Sequence, residues 1–175
     1  MKKSVIWLTC LCAMALAAIA LLWSKSDLGV KRTDIEQDAR SKQQIPESWG
    51  VTKDVGDCMA ALIFYNADKN DFTISIYIAQ SEASDRYQHR FGGNSSMVGT
   101  GVVEYTFEDC SEQAFISLNT QQASKAEIYS AAGVETRNLD ADKPFALVLD
   151  KGITEVIFYD MAGNIAGDYE IAKEE

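Results

Sequence analysis

Residues 58–79 read CMAALIFYNADKNDFTISIYIA, and this stretch decides the fold because a polar turn separates two apolar runs. The first run, 58–65, is almost continuously apolar, which is typical of a central strand buried on both faces. In the second run, 72–79, large apolar residues alternate with smaller or more polar ones, and the residues between the two runs are turn formers. The stretch therefore predicts a β-hairpin whose second strand turns one face to the core and one to solvent. The two faces are Phe72, Ile74, Ile76 and Ile78, and Thr73, Ser75, Tyr77 and Ala79. On this interpretation Ile76 is a core residue, and Ser75 tolerates alanine.

Further strand-like segments follow the hairpin at a spacing of about ten residues, which is typical of an all-β, antiparallel sandwich. We expect residues 51–175 to form this sandwich as one domain. The segments are VVEYTF (102–107), QAFISLN (113–119), KAEIYSA (125–131), VETRNL (134–139), PFALVL (144–149), TEVIFYD (154–160) and IAGDYEI (165–171).

Before the domain lies an apolar segment, VIWLTCLCAMALAAIALLW (5–23), which contains no charge and follows Lys2 and Lys3. As a helix it is long enough to cross a hydrocarbon core of roughly 30 Å. One interpretation is a signal peptide cleaved after Ala20, at the Ala-x-Ala match of residues 18–20. The apolar run continues past that site and exceeds the usual signal-peptide core, so an uncleaved signal anchor is favoured.

Residues 24–50 are polar, with basic and acidic residues in balance, and are predicted to be a tether. A helical turn or two fits Thr33 to Gln44, but Ile35, Ala39 and Ile45 offer too little apolar surface to pack. From residue 50 onward, nine Lys or Arg stand against 21 Asp or Glu. Such an acidic domain repels nucleic acid, so no nucleic-acid partner is expected.

Four cysteines divide between the apolar segment and the domain, where Cys58 and Cys110 form an even pair. Without a Cys-x-x-Cys or a Cys/His cluster, a zinc site is not expected. A pair beyond a membrane segment favours one disulfide in an exported domain. Its acidic neighbours, Glu112 among them, are expected to be solvated, which places the bridge near the rim of the core. With the basic start before the apolar run, this predicts a single-pass membrane protein whose C-terminal domain lies outside the cytoplasm.

The single histidine, His89, lies in a segment that gathers two arginines, a histidine and two aromatics in six residues. Arginine and tyrosine are frequent interface anchors, and long connections often carry binding residues. The segment is therefore a candidate partner-binding surface; the alternative is an edge strand with ordinary solvent-facing residues. Its members are Arg86, Tyr87, His89, Arg90 and Phe91.

As a general base, His89 needs a nucleophile and an orienting group, and Asp85, Ser95 and Ser96 are close in sequence.

Two other motifs fail on their spacing. Glycines 92, 93, 99 and 101 suit bends better than a phosphate cradle, since no helix is predicted to follow them. Residues 66–77 alternate like a calcium loop at first but lack its glycine and its terminal glutamate. No cofactor and no metal are expected.

Six segments together resemble small, N-terminally anchored extracytoplasmic proteins of Gram-positive bacteria, a family without an assigned activity. They are VGDCMAALIFY, FTISIYI, HRFGGNSS, AFISLN, KPFALVL and TEVIFYDMAGNI, within about residues 54–165. The C-terminal part, from KAEIYSA to FYDMAGN, is similar in cadence to immunoglobulin-like accessory modules. The resemblance implies a fold and a location and carries no functional residue.

These patterns predict a membrane-anchored extracytoplasmic module that binds or scaffolds and catalyses nothing. Its partners would be the bilayer, through residues 5–23, and an envelope protein or cell-wall component. One alternative is a cell-envelope hydrolase, or its accessory domain, that uses His89. Another is a secreted soluble module released by cleavage after Ala20.

Overall fold

The structure is a computed structural model that describes residues 29–81, 84–166 and 172–174 of the 175-residue chain. Strands dominate it. They are β1 (Val30–Lys31), β2 (Gly50–Val55), β3 (Met59–Tyr65), β4 (Phe72–Ala79), β5 (Arg86–Gly93), β6 (Val103–Thr106), β7 (Glu112–Ser117), β8 (Ala123–Ser130), β9 (Gly133–Asn138), β10 (Phe145–Asp150), β11 (Ile153–Asp160) and β12 (Ala172–Glu174). One α-helix, α1 (Ile35–Gln43), and two 3-10 helices, Arg32–Asp34 and Ser96–Gly99, complete the described elements.

The predicted hairpin lies at the centre of the first sheet, whose order is β1-β5-β4-β3-β2. Strands β3 and β4 pair antiparallel, with Met59 opposite Ile78 and Ile63 opposite Ile74. The apolar run of β3 is buried from Met59 to Phe64, because both faces of this central strand are covered. This confirms the hairpin.

The remaining strands form two smaller sheets. The second has the order β10-β7-β6-β12, in which only β12 runs parallel to its neighbour. The third has the order β11-β8-β9 and is antiparallel throughout. The all-β, mainly antiparallel class is therefore confirmed.

Three apolar clusters show how the layers stack. Ile63 and Ile76 of the first sheet pack with Ile116 and Val148 of the second. The opposite side of the second sheet, with Phe115 and Leu147, packs against Ile128 and Phe158 of the third. The outer side of the first sheet, with Phe64 and Tyr77, packs against α1. The order of layers is thus α1, first sheet, second sheet, third sheet, which fits the predicted β-sandwich packing and adds a third sheet to it.

Helix α1 corrects the prediction for residues 33–45. Ile35, Ala39 and Ile45 are almost fully buried on the first sheet, so their apolar surface is enough to pack. Ala39 is fully buried against the sheet, and the guanidinium of Arg40 lies 5.0 Å from the ring centroid of Phe64. Gln44 caps the C-terminal end of the helix in a left-handed conformation with φ of 56°.

Outside the hairpin, several predictions differ from the structure or lie outside the described residues. Residues 86–93 form strand β5, which agrees with the strand alternative and not with a long connection, and β2 has no counterpart among the predicted strands. The predicted solvent face of β4 is also wrong, because Ser75 and Tyr77 are fully buried beneath α1. Most of the strand predicted at 165–171 lies outside the described residues, as does the whole apolar segment 5–23. No helix within the described ranges is long and apolar enough to span a membrane.

Candidate functional site

The predicted disulfide is present. Cys58, just before β3, is bonded to Cys110, in the turn between β6 and β7, with 5.7 Å between the two Cα atoms. Both residues are buried in the core between the first and second sheets. The bridge therefore ties together the two largest layers.

The side chain of Glu112 lies beside the bridge and corrects another prediction, since this residue is buried instead of solvated. Its carboxylate accepts hydrogen bonds from the backbone N–H groups of Asp57 (2.9 Å), Cys58 (2.9 Å) and Met59 (2.7 Å). A buried carboxylate is tolerated where such donors replace the lost water. Glu112 thus fixes the loop that leads into β3.

The predicted partner-binding segment does not form one continuous surface in β5. Tyr87 is 1% exposed, and its hydroxyl donates to the carbonyl oxygen of Gly56 at 2.8 Å. A β-bulge at Arg90 leaves His89 opposite Tyr77 and Phe91 opposite Ile76. The bulge therefore places His89 on the side of α1 and Phe91 in the core between the first two sheets.

The two arginines of the segment lie apart from the buried rings. Arg86 donates from its guanidinium to the carbonyl oxygen of Gly29 at 3.1 Å. Arg90 is exposed, with its guanidinium 3.7 Å from the carboxylate of Asp109 and 5.8 Å from the ring centroid of Phe107. The structure therefore does not bring the five predicted residues together on one surface.

His89 is packed against the ring of Tyr77, whose centroid lies 5.0 Å away in an edge-on arrangement. Burial, and then the positive charge of Lys42, lower the pKa of His89; the neighbouring carboxylate of Asp38 opposes them. The positive charge that acts on His89 is therefore that of a lysine of α1. The Nε2 atom of His89 has no hydrogen-bond partner among the described residues. The hydroxyl of Tyr77 donates to Asp38 at 2.6 Å.

A cleft of about 580 Å³ lies where edge strands of all three sheets meet. Strand β2 is the edge of the first sheet, β10 of the second and β9 of the third. The lining residues of these strands include Asp54, Val148 and Arg137. The loop held by Glu112, the turn between β8 and β9, and residues at the start of β11 also line the cleft.

Asp54, in the lining of this cleft, connects the three sheets. Its Oδ2 atom accepts a hydrogen bond from the backbone N–H of Val148 at 2.8 Å, which satisfies a donor on the free edge of β10. The same oxygen lies 3.3 Å from the guanidinium of Arg137, which also donates to Glu135 at 2.8 Å. The node therefore fixes the relative positions of β2, β9 and β10.

The charge in the cleft is unbalanced. Its lining includes five carboxylates and one guanidinium, that of Arg137. Asp54 and Glu112 are held by backbone donors, and Glu135 is paired with Arg137. Asp57 and Asp150 are exposed at the mouth, and among the described residues neither forms a salt bridge. Nothing in the sequence pattern indicates this site, since Asp54 is 83 residues from Arg137 and 94 from Val148.

A second polar cluster lies on the outer face of the third sheet. The hydroxyls of Tyr129 and Tyr159 each donate to Glu127 at 3.0 Å, and Lys125 lies 2.8 Å from the same carboxylate. The hydrogen bond from Lys125, followed by those from the two tyrosines, lowers the pKa of Glu127. Hydrogen bonding to Glu127 raises the pKa of Tyr129 to about 12 and also raises that of Tyr159. The cluster stabilises the pairing of β8 with β11.

A metal site has no support in the residues that the structure describes, where no three His, Cys, Asp or Glu side chains are grouped to hold an ion. No protein-family model, no curated protein and no solved structure matches the chain.

Proposed function

We propose that this protein is a membrane-anchored extracytoplasmic binding module, held by residues 5–23, whose ligand site is the cleft between β2, β9 and β10. The observation that carries the proposal is the cleft itself. Its volume of about 580 Å³ is in the range of ordinary ligand sites, roughly 300–1,000 Å³. Its walls come from three sheets that Asp54 holds together, so the site is formed before a ligand arrives.

Binding without catalysis fits the state of the polar groups in the cleft. The carboxylates of Asp54 and Glu112 are occupied by backbone N–H donors, and Glu135 is occupied by Arg137. The hydrolase alternative depends on His89, which is packed against Tyr77 on the α1 side of the first sheet. In the described lining of the cleft, these three groups hold the walls in place, and none of them stands as a free base beside a nucleophile.

An external location is supported by the Cys58–Cys110 bridge, because structural disulfides persist on the oxidising side of membranes. The ligand is then an envelope protein or a cell-wall component. The proposal includes a relationship to small, anchored extracytoplasmic proteins of Gram-positive bacteria. It also includes an immunoglobulin-like character for the C-terminal half, supported by β6 to β11, whose strands form two facing sheets.

Cell fractionation with protease accessibility tests the proposal. We expect the full-length protein to sediment with membranes and external protease to digest its C-terminal domain while a cytoplasmic marker protein survives. Mass spectrometry without reductant should recover the peptides of Cys58 and Cys110 as a linked pair. Protection of the domain in intact cells, with both thiols open to alkylation, contradicts the external location. A mature N-terminus at Leu21 contradicts the anchor and supports the secreted module that is cleaved after Ala20.

A further inference from the structure

We infer that the cleft between β2, β9 and β10 binds a basic peptide segment, with a lysine or arginine side chain entering between the sheets. This inference rests on the proposed function, because it names the ligand class of the same site. It combines the charge at the mouth of the cleft with the chemistry of its walls.

The negative charge of the cleft favours a positively charged ligand. Asp54 and Glu112 accept backbone hydrogen bonds, and Glu135 pairs with Arg137. Asp57 and Asp150, in contrast, have no charged partner among the described residues. These two carboxylates lie at the mouth and are exposed to solvent. Because field lines concentrate in a cleft with low-dielectric walls, they attract a positive group and repel phosphates and anionic polymers.

The mixture of apolar and acidic residues in the walls suits a long basic side chain better than a small ion. The lining also includes apolar residues: Val55 and Ile153, which are half-buried, and Ile128 and Leu149, which are buried. Lysine and arginine carry an apolar stem of three or four methylene groups below a charged head, so they bury the stem on apolar surface and keep the head among carboxylates. A divalent ion needs several oxygens converging on one point, whereas the oxygens of Asp54 and Glu112 already accept backbone hydrogen bonds.

Peptide binding to the purified full-length protein in a neutral detergent tests the inference. The probe is a capped tetralysine peptide with an uncharged fluorophore, and fluorescence anisotropy reports its affinity. The double variant Asp57→Asn/Asp150→Asn should bind it about tenfold more weakly. The matched variant Asp68→Asn/Asp142→Asn removes the same charge from exposed loops outside the cleft and should change the affinity less than about twofold.

A second variant separates occupation of the cleft from general attraction to an acidic protein. Ala132 is exposed on the rim, and Ala132→Trp narrows the entrance without changing the charge. It should weaken the tetralysine peptide to a similar extent, about tenfold. Far-ultraviolet circular dichroism establishes that each variant keeps its strands, so that a loss of binding is not a loss of fold.

The outcomes are distinct. Equal losses in both double variants mean diffuse attraction and overturn the inference. If the same peptide with acetylated lysines binds as tightly as tetralysine and Ala132→Trp weakens both, the cleft binds peptides without charge selection; this overturns the ligand class and leaves the proposed function standing. Complete competition by about 1 mM Ca²⁺ identifies a metal-ion site and overturns the inference as well. Failure of the proposed function itself appears in the protease experiment, which involves no peptide.

Discussion

At the scale of single residues, the carboxylate of Glu112 organises the loop that carries the disulfide. It accepts three backbone N–H groups from residues 57–59, and it lies on the core side of β7. Gly56 precedes these donors, and a Cβ atom there would lie 2.3 Å from both carboxylate oxygens. Because atoms cannot approach so closely, glycine at 56 and glutamate at 112 depend on each other.

The substitution Glu112→Gln tests this arrangement. Glutamine keeps one acceptor oxygen but turns an NH₂ group towards at least one of the three N–H donors. We expect the free energy of unfolding to fall by about 1–3 kcal/mol, the cost of a buried unsatisfied donor. Urea denaturation measures it. Glu108→Gln, an exposed acidic residue nearby, serves as the control and should change stability by less than about 0.5 kcal/mol. Equal effects would show that the burial of Glu112 contributes nothing.

The cluster around Glu127 predicts an unusual tyrosine titration. Hydrogen bonding to Glu127 raises the pKa of Tyr129 from 10.0 to about 12. A folded-state pKa above the unfolded value means that the stabilisation is complete below about pH 10 and is lost as the pH rises through about 12. Absorbance at the phenolate band, compared with a Tyr129→Phe variant, reports the transition. Glu127→Gln should lower the pKa of Tyr129 towards 10, whereas Glu47→Gln should not shift it.

At the scale of secondary-structure elements, the sequence predicts strands well where their apolar pattern is strong. Strands β3 and β4 begin and end within a residue of the prediction, because their apolar runs are bounded by turn residues. For β5 the sequence offers a strand only as an alternative to a binding segment in a connection, since the bulge at Arg90 breaks the alternation of RYQHRF. The sequence does not predict the packing of α1. The three apolar residues of that segment suffice because they pack against the apolar outer face of the first sheet.

The packing of α1 on the first sheet changes the environment of the polar residues of β4. The Nε2 atom of Gln43 in α1 donates hydrogen bonds to the carbonyl oxygen of Ile74, at 3.1 Å, and to the hydroxyl of Ser75. The hydroxyl of Thr73 in turn donates to the Oε1 atom of Gln43 at 2.6 Å. Ser75 is therefore a buried hydrogen-bonding partner, contrary to the solvent-facing role that alternation alone predicts.

Two alanine variants of β4 measure this difference. Ile76→Ala removes a fully buried side chain from the core between the first two sheets and should cost about 2–5 kcal/mol of unfolding free energy. Ser75→Ala removes one partner of Gln43 and should cost about 1 kcal/mol. Thermal and urea denaturation measure both. A Ser75→Ala variant as stable as the wild type would mean that α1 does not seal this face in solution.

At the scale of the whole molecule, the three sheets are joined through one carboxylate. Asp54 lies on an edge strand of the first sheet, accepts the N–H of Val148 on an edge of the second, and pairs with Arg137 on an edge of the third. Sequence alone cannot predict this node, because the order of strands and the facing of sheets set it. The same geometry forms the cleft and places Asp57 and Asp150 in its lining, so the candidate site follows from the arrangement of the sheets.

The substitution Asp54→Asn tests whether the node holds the sheets together. The amide keeps the size of the side chain but loses the charge that pairs with Arg137, and we expect the unfolding free energy to fall by about 1–3 kcal/mol. Hydrogen exchange should show faster exchange of amides in β2, β9 and β10 together, because each strand loses a connection to the others. Amides of β4 and β7, held inside their sheets, should keep their protection.

Glu135→Gln provides the matched control, because it removes the other acidic partner of Arg137. The Glu135 side chain is 60% exposed, so this pair contributes little and the variant should stay within about 0.5 kcal/mol of the wild type. If Asp54→Asn speeds exchange in β2 alone, Asp54 stabilises its own strand and does not join the sheets. If all three edge strands respond, the walls of the cleft depend on Asp54, and the variant should also weaken the binding of tetralysine.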